Sequence, residues 1–131
     1  MIVTPVYAGL LVLWFLVLAW RVIRRRGHGI SLGDGGDAAM LRVIRGHANF
    51  AEYVPLALLL MAILELCNFS AYVLHGLGAM LLIGRLLHGY ALSFTDKFQF
   101  GRFWGTTLTF LVLGVGAVLC VWQGIQGMTA P

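Results

Sequence analysis

A stripe of polar side chains runs through the segment RVIRGHANFAEYVP, residues 42–55. If this segment is helical, a rotation of about 100° per residue brings six side chains into one arc of roughly 100°. They are Arg42, Arg45, Asn49, Glu52, Tyr53 and Leu56. One helix face therefore combines cations, hydrogen-bonding groups and a single carboxylate.

Two later segments carry cations at the same predicted level of the membrane. Arg85 and His88 are spaced i and i+3, so they share a helix face, while Tyr90 projects from a different side. Arg102 opens the next apolar segment at the same depth. Three helices thus bring cations and hydrogen-bonding groups together around one acid, which outlines an anion-binding site.

The carboxylate of Glu52 needs a partner because apolar sequence follows it directly. Only twelve uncharged residues separate Glu52 from Glu65, which is roughly 18 Å of helix, so the polar stripe must begin inside the bilayer or at its edge. A carboxylate at that depth is costly unless it faces the bundle interior. Arg45 lies two turns earlier on the same face. The two side chains form either a structural ion pair or part of a ligand site, and the residues alone leave both open.

The elements that carry these groups are membrane helices. The chain has 131 residues, of which 60% are hydrophobic and 11% charged, and its mean hydropathy is +0.91. These values exclude a soluble globular protein and predict an all-α membrane protein with a single domain over residues 1–131. A spanning helix needs about 20 residues, and four apolar runs fit: residues 3–23, 37–66, 71–92 and 101–123. Thr4 and Pro5 are predicted as the N-cap and first residue of the first helix.

The distribution of basic residues predicts the orientation. All nine Lys and Arg residues lie at one end of the four-helix layout, and the positive-inside rule assigns that end to the cytoplasm. Both termini and the turn at residues 68–70 then lie on the non-cytoplasmic side. A basic collar facing anionic lipid accounts for the net charge of +4, so no nucleic-acid partner is expected. His28 and His75 are expected to face solvent on opposite sides of the membrane.

The same segments carry a resemblance to a known family. The run RVIRGHANFAEYVPLALLLMAILEL, preceded by RRRGHGISLGDGGD and followed by GRLLHGY and GRFWGTTLTF, resembles the bacterial branch of the MAPEG family, membrane-associated proteins in eicosanoid and glutathione metabolism. The similarity covers nearly the whole chain. It implies a four-helix subunit that assembles as a homotrimer in the bacterial inner membrane, with glutathione bound between neighbouring subunits near the cytoplasmic face.

The resemblance implies roles for residues of the polar stripe. Arg45, Asn49, Glu52 and Tyr53 match positions on the second helix with which family members hold glutathione. An arginine there can bind a glutathione carboxylate through two hydrogen bonds, and a glutamate can accept a hydrogen bond from the ammonium group.

Positions on the other helices match as well. Arg85 and His88 resemble a glutathione-binding pair on the third helix of the prostaglandin-forming members. Arg26 either belongs to the basic collar or aligns with a basic residue that touches glutathione in relatives. Arg102 resembles the arginine that faces the sulfur, so it is the expected catalytic residue. One position departs from the pattern: Leu92 stands where those enzymes have a tyrosine, and Tyr90 does not obviously replace it.

The expected function is that of a glutathione-dependent transferase or peroxidase that acts on lipophilic electrophiles or hydroperoxides arriving from membrane lipid. Two alternatives remain. One is a small four-helix multidrug or proton-coupled transporter, although such a protein is expected to carry an acid in its first helix, which has none. The other is a catalytically silent lipid-binding trimer, which the absence of the expected tyrosine keeps open.

The remaining histidine and cysteine residues predict no further chemistry. His47 lies off the polar arc and is expected to be an interface or packing histidine rather than a catalytic one. Cys67 and Cys120 have no nearby cation that would lower a thiol pKa, so neither resembles a nucleophile. No cluster of side chains has the spacing of metal ligands, and no metal is expected.

Overall fold

The computed structural model describes residues 1–27 and 29–129, without the side chain of Thr129. The expectation for His28 lies outside these residues. In the described part, the chain forms four helices: α1 Val3–Arg26, α2 Ala38–Leu66, α3 Ala71–Ser93 and α4 Gln99–Thr129. Each contains a segment long and apolar enough to cross a membrane. This confirms the predicted all-α membrane protein with four spanning helices.

The helices pack as one bundle with α2 and α3 between the other two. Both α2 and α3 contact α1 and α4 as well as each other. The core is built from apolar side chains of all four helices, and its fully buried members include Leu11, Leu18, Leu64, Leu81 and Val112. Many other large apolar side chains point outward. An outer surface of this kind suits a bundle whose solvent is hydrocarbon.

The beginning of α1 differs from its prediction. Thr4 and Pro5 lie inside the first turn, which begins at Val3, and no side chain of the N-cap residue makes a capping hydrogen bond. Instead, the carboxylate of Glu65 in the last turn of α2 accepts hydrogen bonds from the N–H groups of Ile2, of Val3 at 2.7 Å and of Thr4 at 2.8 Å. A neighbouring helix thus satisfies donors that the first turn leaves unpaired, with the charge that a helix N-terminus favours.

Other helix ends extend beyond the apolar runs that predicted them. Helix α1 continues past residue 23 to Arg26, and α4 begins at Gln99 and continues past residue 123. Hydropathy marks contact with hydrocarbon rather than backbone hydrogen bonding, and arginine is a good helix former whose charge can reach the headgroups. Helix α3 matches its prediction within one residue.

The N-terminus of α2 is held by Asp37, which lies just outside the helix. Its Oδ1 accepts a hydrogen bond from the N–H of Ala39 at 2.8 Å, and its Oδ2 lies 3.2 Å from Nη2 of Arg25 in α1. The hydrogen bond from Ala39, followed by the interaction with Arg25, holds the pKa of Asp37 below its ordinary value. The cap and the ion pair together join α1 to α2 at the cytoplasmic end.

The predicted turn between α2 and α3 is a tight helix ending. Asn68 adopts a φ of 55°, and its N–H donates to Glu65 O at 3.1 Å while the N–H of Phe69 donates to Leu64 O at 3.0 Å. These two hydrogen bonds form a Schellman motif, in which asparagine tolerates the left-handed conformation. The motif also places Glu65 at the end of α2, beside the first turn of α1.

Candidate functional site

Arg85 lies at the centre of the cytoplasmic half of the bundle. Its side chain is almost fully enclosed, with 2% of the residue exposed. Nη1 donates to Oδ1 of Asn49 in α2 at 2.9 Å, and Nη2 donates to the backbone oxygen of Gly105 in α4 at 3.1 Å. Its Nε is also buried and has no hydrogen-bond partner among the described residues. One guanidinium therefore ties three helices together and keeps a free donor.

Two glycines allow α4 to approach Arg85 this closely. A Cβ on Gly105 would lie 2.6 Å from the backbone oxygen of Gly84 and 2.6 Å from Cβ of His88. A Cβ on Gly84 would in turn lie 3.1 Å from the oxygen of Gly105. Small residues at such crossings let membrane helices pack backbone to backbone. The backbone oxygen of Gly105 can reach the guanidinium only because of this close crossing.

Helix α1 reaches the same centre through Trp14. Its indole Nε1 donates to the backbone oxygen of Arg85 at 3.0 Å. Gly89, one turn further along α3, leaves the space for this contact, since a Cβ there would lie 2.7 Å from Nε1 of Trp14. All four helices thus meet at the level of Arg85.

A cavity of about 260 Å³ lies between α2, α3 and α4. Arg85, which was also predicted to bind glutathione, is not part of its lining and borders it only through its partner Asn49. The lining of the cavity is strongly basic and consists of Leu41, Arg42, Arg45, Asn49, His88, Leu92 and Arg102. Four of the site residues predicted from the sequence, one or two from each helix, therefore share this cavity. They are Arg45, Asn49, His88 and Arg102.

A second, wider cavity of about 640 Å³ opens along α4 from the first. It is lined by His88, Gln99, Arg102, Phe103, Thr106, Thr107 and Phe110. His88 and Arg102 line both cavities, so the two cavities adjoin at these side chains. The smaller part is lined by cations, while the larger combines aromatic rings with hydroxyl groups. Such a space suits a charged ligand next to a lipophilic one.

Arg45 and Glu52 face each other at the rim of this space. Nη1 of Arg45 lies 3.8 Å from Oε1 of Glu52, and about half of each side chain is exposed. A pair that sealed the interior of this chain would be buried, so both charges remain available to a ligand or a neighbouring subunit. The neighbouring Tyr53 packs its ring against Phe110, with ring centroids 5.5 Å apart. Glu52 and Tyr53 are not part of either lining, but each contacts a residue that is: Glu52 lies next to Arg45, and Tyr53 packs on Phe110.

Arg102 occupies the first turn of α4, as predicted. The helix begins three residues earlier, at Gln99, and the side chain of Arg102 is exposed where the two cavities join. Leu92, at the position where a tyrosine was expected, is buried and lines the smaller cavity. Tyr90 does not take its place, because its ring stacks on Phe94 with centroids 5.5 Å apart.

Arg26 lies apart from these residues within the chain. Its Nη1 donates to the backbone oxygen of Gly33 at 3.3 Å, in the connection between α1 and α2. The site prediction also omitted Gln99, Thr106 and Thr107 of the wider cavity. Arg102 and Thr106 are four residues apart in α4, so helical periodicity could have indicated that they share a face.

The other residues singled out in the sequence lie outside the cavities. His47 stacks on Phe15 of α1, with ring centroids 4.6 Å apart, which confirms a packing role. His75 is exposed, as predicted, and its Nδ1 lies 3.2 Å from the hydroxyl of Tyr7. The thiols of Cys67 and Cys120 are both free.

Comparisons with known proteins bear on this arrangement. The model of the MAPEG family matches residues 4–122 of the chain. The inner membrane protein YecN of Escherichia coli (strain K12) is 36% identical over 89 residues, which cover 67% of this chain and 68% of that protein. The protein of the same name from an Escherichia coli O6:H1 strain is similar to the same extent. No solved structure matches the chain.

Proposed function

Because the chain belongs to the MAPEG family, we propose that it is a glutathione-dependent transferase or peroxidase of the bacterial inner membrane. Its substrates would be lipophilic electrophiles or hydroperoxides that arrive from the bilayer. The observation that carries the proposal is the meeting of Arg45, Asn49, His88 and Arg102 in one cavity. A set of cations at a membrane interface is costly without an anion, and a ligand with two carboxylates would supply that charge.

The residues present fit glutathione in charge and in placement. Arg45, together with Arg42 in the same lining, offers guanidinium groups to the carboxylates of the tripeptide. The half-exposed carboxylate of Glu52 offers an acceptor to its ammonium group. Arg85 holds the amide of Asn49 in place through the hydrogen bond from Nη1, which leaves the amide NH₂ of Asn49 to donate towards the cavity.

The proposed catalytic residue is Arg102. Glutathione supplies a thiol whose ionised form is the nucleophile towards an electrophile or a hydroperoxide. Arg102 stands at the first turn of α4, so its guanidinium and the helix N-terminus act together to favour a negative charge in the cavity. His88 lines both cavities beside it and would orient the ligand between them. The aromatic rings of Phe103 and Phe110 would hold the lipophilic partner in the wider space.

We further propose that the protein assembles as a homotrimer. The number of three subunits is the one that membership of the family implies. The open wall of the two cavities and the half-exposed Arg45–Glu52 pair would then be covered by a neighbouring subunit. Arg26, which lies apart from the cavity of its own chain, would contribute from that neighbour. Native mass spectrometry of the detergent-solubilised protein would measure the number of subunits, and a monomer would contradict this arrangement.

Calorimetric titration of the purified protein with glutathione tests the binding site. Glu52→Gln should weaken binding about tenfold to a hundredfold, because the ammonium group loses a charged hydrogen-bond partner. Lys97→Gln, which removes a cytoplasmic charge from an exposed residue outside both cavities, serves as the matched control and should leave affinity unchanged. Equal affinities of the folded Glu52→Gln variant and the control would refute the proposed role of Glu52.

Thiolate absorbance as a function of pH tests the role of Arg102. In Arg102→Ala, glutathione should still bind, since other residues hold its carboxylates and ammonium group. The pKa of the bound thiol should rise and turnover at neutral pH should fall, and turnover should recover as the pH is raised. Superimposable titration curves for Arg102→Ala and the parent protein would refute its role.

Activity assays with an aryl halide and with a lipophilic hydroperoxide would separate conjugation from peroxide reduction. Glutathione binding without turnover of either substrate would indicate a silent trimer.

A further inference from the structure

A separate apolar groove runs along the outer surface between α1 and α3. It has a volume of about 310 Å³. The polar side-chain atom of its lining is the indole nitrogen of Trp14. The lining consists of Leu10, Leu13, Trp14, Val17, Leu82 and Leu86. The glutathione site proposed above lies between α2, α3 and α4, so the groove belongs to a different face of the bundle.

The α1 wall of this groove ends in two arginines at the cytoplasmic side. At about 100° per residue, its four members and Arg21 and Arg24 fall within one arc of roughly 100°. Arg24 follows Leu10 by fourteen positions, which is about 21 Å along the helix. A cavity of about 260 Å³ lies at the arginine end, lined by Arg21, Arg24, Arg25 and Val43. Val43 belongs to α2, so the pocket extends towards that helix, while the apolar slot and the arginines follow one another along the same face of α1.

Arg21 is held rigidly at the junction of slot and pocket. Its Nη2 donates to the backbone oxygen of Ser93, and its guanidinium carbon lies 4.2 Å from the ring centroid of Phe94. Phe94 in turn stacks on Trp14 of the groove, with ring centroids 6.0 Å apart. The Nε of Arg21 is buried and has no hydrogen-bond partner among the described residues. The side chain thus holds a fixed positive charge at this position.

The charge of this pocket is not neutralised within the described part of the chain. Asp37 pairs with Arg25 at 3.2 Å, whereas no ion pair involves Arg21 or Arg24 among the described residues. Arg24 is exposed, and its guanidinium lies 5.2 Å from the ring of Trp20. Arginine and tryptophan at the end of a spanning helix lie at the depth of the lipid headgroups. The missing partner is therefore an anion at the membrane surface.

We propose that this groove binds an anionic phospholipid of the cytoplasmic leaflet. The phosphate lies between Arg21 and Arg24, and one acyl chain follows the slot towards Leu10. A lipid is the occupant that matches both halves, because its charge meets the arginines while its chain covers the apolar wall. A second copy of the protein would bring further cations to Arg21 and Arg24 with no anion between them, unlike the contact of the proposed trimer, where glutathione would supply the negative charge. The site would anchor α1 against α3, and through Trp14 it borders the backbone of Arg85.

Quenching of Trp14 by brominated lipid tests the proposal. The sample is delipidated protein in neutral detergent. Trp20, Trp104 and Trp122 are replaced by phenylalanine, so that Trp14 is the fluorescent tryptophan. Phosphatidylglycerol and phosphatidylcholine with identical brominated acyl chains are then titrated separately. Phosphatidylglycerol should quench Trp14 at a concentration about twenty-fivefold lower, since two arginines near an anionic headgroup each contribute about fivefold.

Three variants in the same background identify the groove. Arg24→Gln, at an exposed position where the fold is not at risk, should raise the quenching midpoint of phosphatidylglycerol about fivefold and leave that of phosphatidylcholine unchanged. Val17→Phe, which fills the slot, should weaken quenching by both lipids. Lys97→Gln removes an equal charge from the same side of the membrane but away from the groove, and it should change neither midpoint.

Four outcomes would overturn the proposal. Equal midpoints for the two lipids would exclude a headgroup site, and an equal loss in Lys97→Gln and Arg24→Gln would reduce the effect to general surface attraction. Displacement of the lipid by inorganic phosphate, with no dependence on acyl chains, would indicate a site for the free anion. Efficient cross-linking between subunits through a Leu13→Cys thiol, together with the absence of quenching, would show that a second copy covers the groove.

Discussion

Replacing Gly105 with alanine should separate α3 from α4 and break one of the contacts that hold Arg85. The new Cβ would lie 2.6 Å from the backbone oxygen of Gly84, and ordinary contact begins at 3.4 Å, so the helices must move apart by about 0.8 Å (3.4 minus 2.6). The same movement would lengthen the hydrogen bond from Nη2 of Arg85 to the Gly105 oxygen from 3.1 Å towards about 3.9 Å, beyond hydrogen-bonding range.

Two effects add to give the expected loss of stability. Overpacking of a close crossing costs about 1–3 kcal/mol. A charged donor left unpaired in a buried site costs about 1.5–3 kcal/mol more. The free energy of unfolding of Gly105→Ala should therefore fall by about 2.5–6 kcal/mol. The control is Gly114→Ala in the same helix, where a Cβ meets no atom within 4 Å and stability should change by less than about 0.5 kcal/mol.

Unfolding of the purified protein by titration with SDS, followed by tryptophan fluorescence, measures both variants. A double-mutant cycle with Arg85→Met separates the two effects, because methionine removes the charge but keeps an apolar side chain of similar length. Gly105→Ala should cost less in the Arg85→Met background by about the value of the lost hydrogen bond. The reasoning is refuted if Gly105→Ala and Gly114→Ala unfold at the same SDS concentration, or if the cycle shows no coupling.

Three further predictions follow from the contacts of single residues. Asn49→Ala should lower the free energy of unfolding by about 2 kcal/mol because Nη1 of Arg85 loses its acceptor. Asn49→Asp, which keeps an acceptor, should not lower it. Equal losses of the two variants in SDS titrations would contradict this. Glu65→Ala should cost about 1 kcal/mol and speed hydrogen exchange at the amides of Val3 and Thr4. Unchanged exchange there would mean that water replaces the cap. The depressed pKa of Asp37 means that its stabilising contribution is complete above the ordinary carboxyl pKa of about 3.9 and is lost as the pH falls through the lower folded value. Asp37→Asn should remove this acid dependence while keeping a cap, which unfolding at neutral and acidic pH would measure, and an unaltered dependence would assign it to another group.

The helices and the convergence of the polar groups were predictable because both follow from regular geometry. Apolar runs of sufficient length marked all four spans, and helical periodicity placed Arg45 and Asn49 on one face and Arg85 and His88 on another. The depth of the charges in the membrane then brought these faces together. What the groups bind stays a prediction, since a cationic cavity specifies an anion but not its identity.

The partners of Arg85 were not predictable, for a different physical reason. One of its acceptors is the backbone oxygen of Gly105, and every residue carries such an oxygen, so no residue type marks the contact. It depends on how closely α3 and α4 cross. The role of Glu65 was missed similarly, although an acid near the end of an apolar helix already required a partner. That partner is the backbone of another helix, which hydropathy does not reveal.

The burial of Arg85 also bears on how the chain enters the membrane during synthesis. α3 has the lowest mean hydropathy of the four spans, and an arginine at the centre of an isolated helix raises the insertion free energy by about 2.5–3.5 kcal/mol. Its acceptors, Asn49 and Gly105, come from the helices before and after it. We therefore expect α3 alone to partition poorly from the translocon, and to insert well only in a chain that also carries α2 and α4, as glycosylation mapping in microsomes would measure. Efficient insertion of α3 alone would show that the arginine reaches the interface unaided. If α3 inserts only together with its neighbours, its integration into the membrane waits for α4. The cationic cavity is then assembled in the same step.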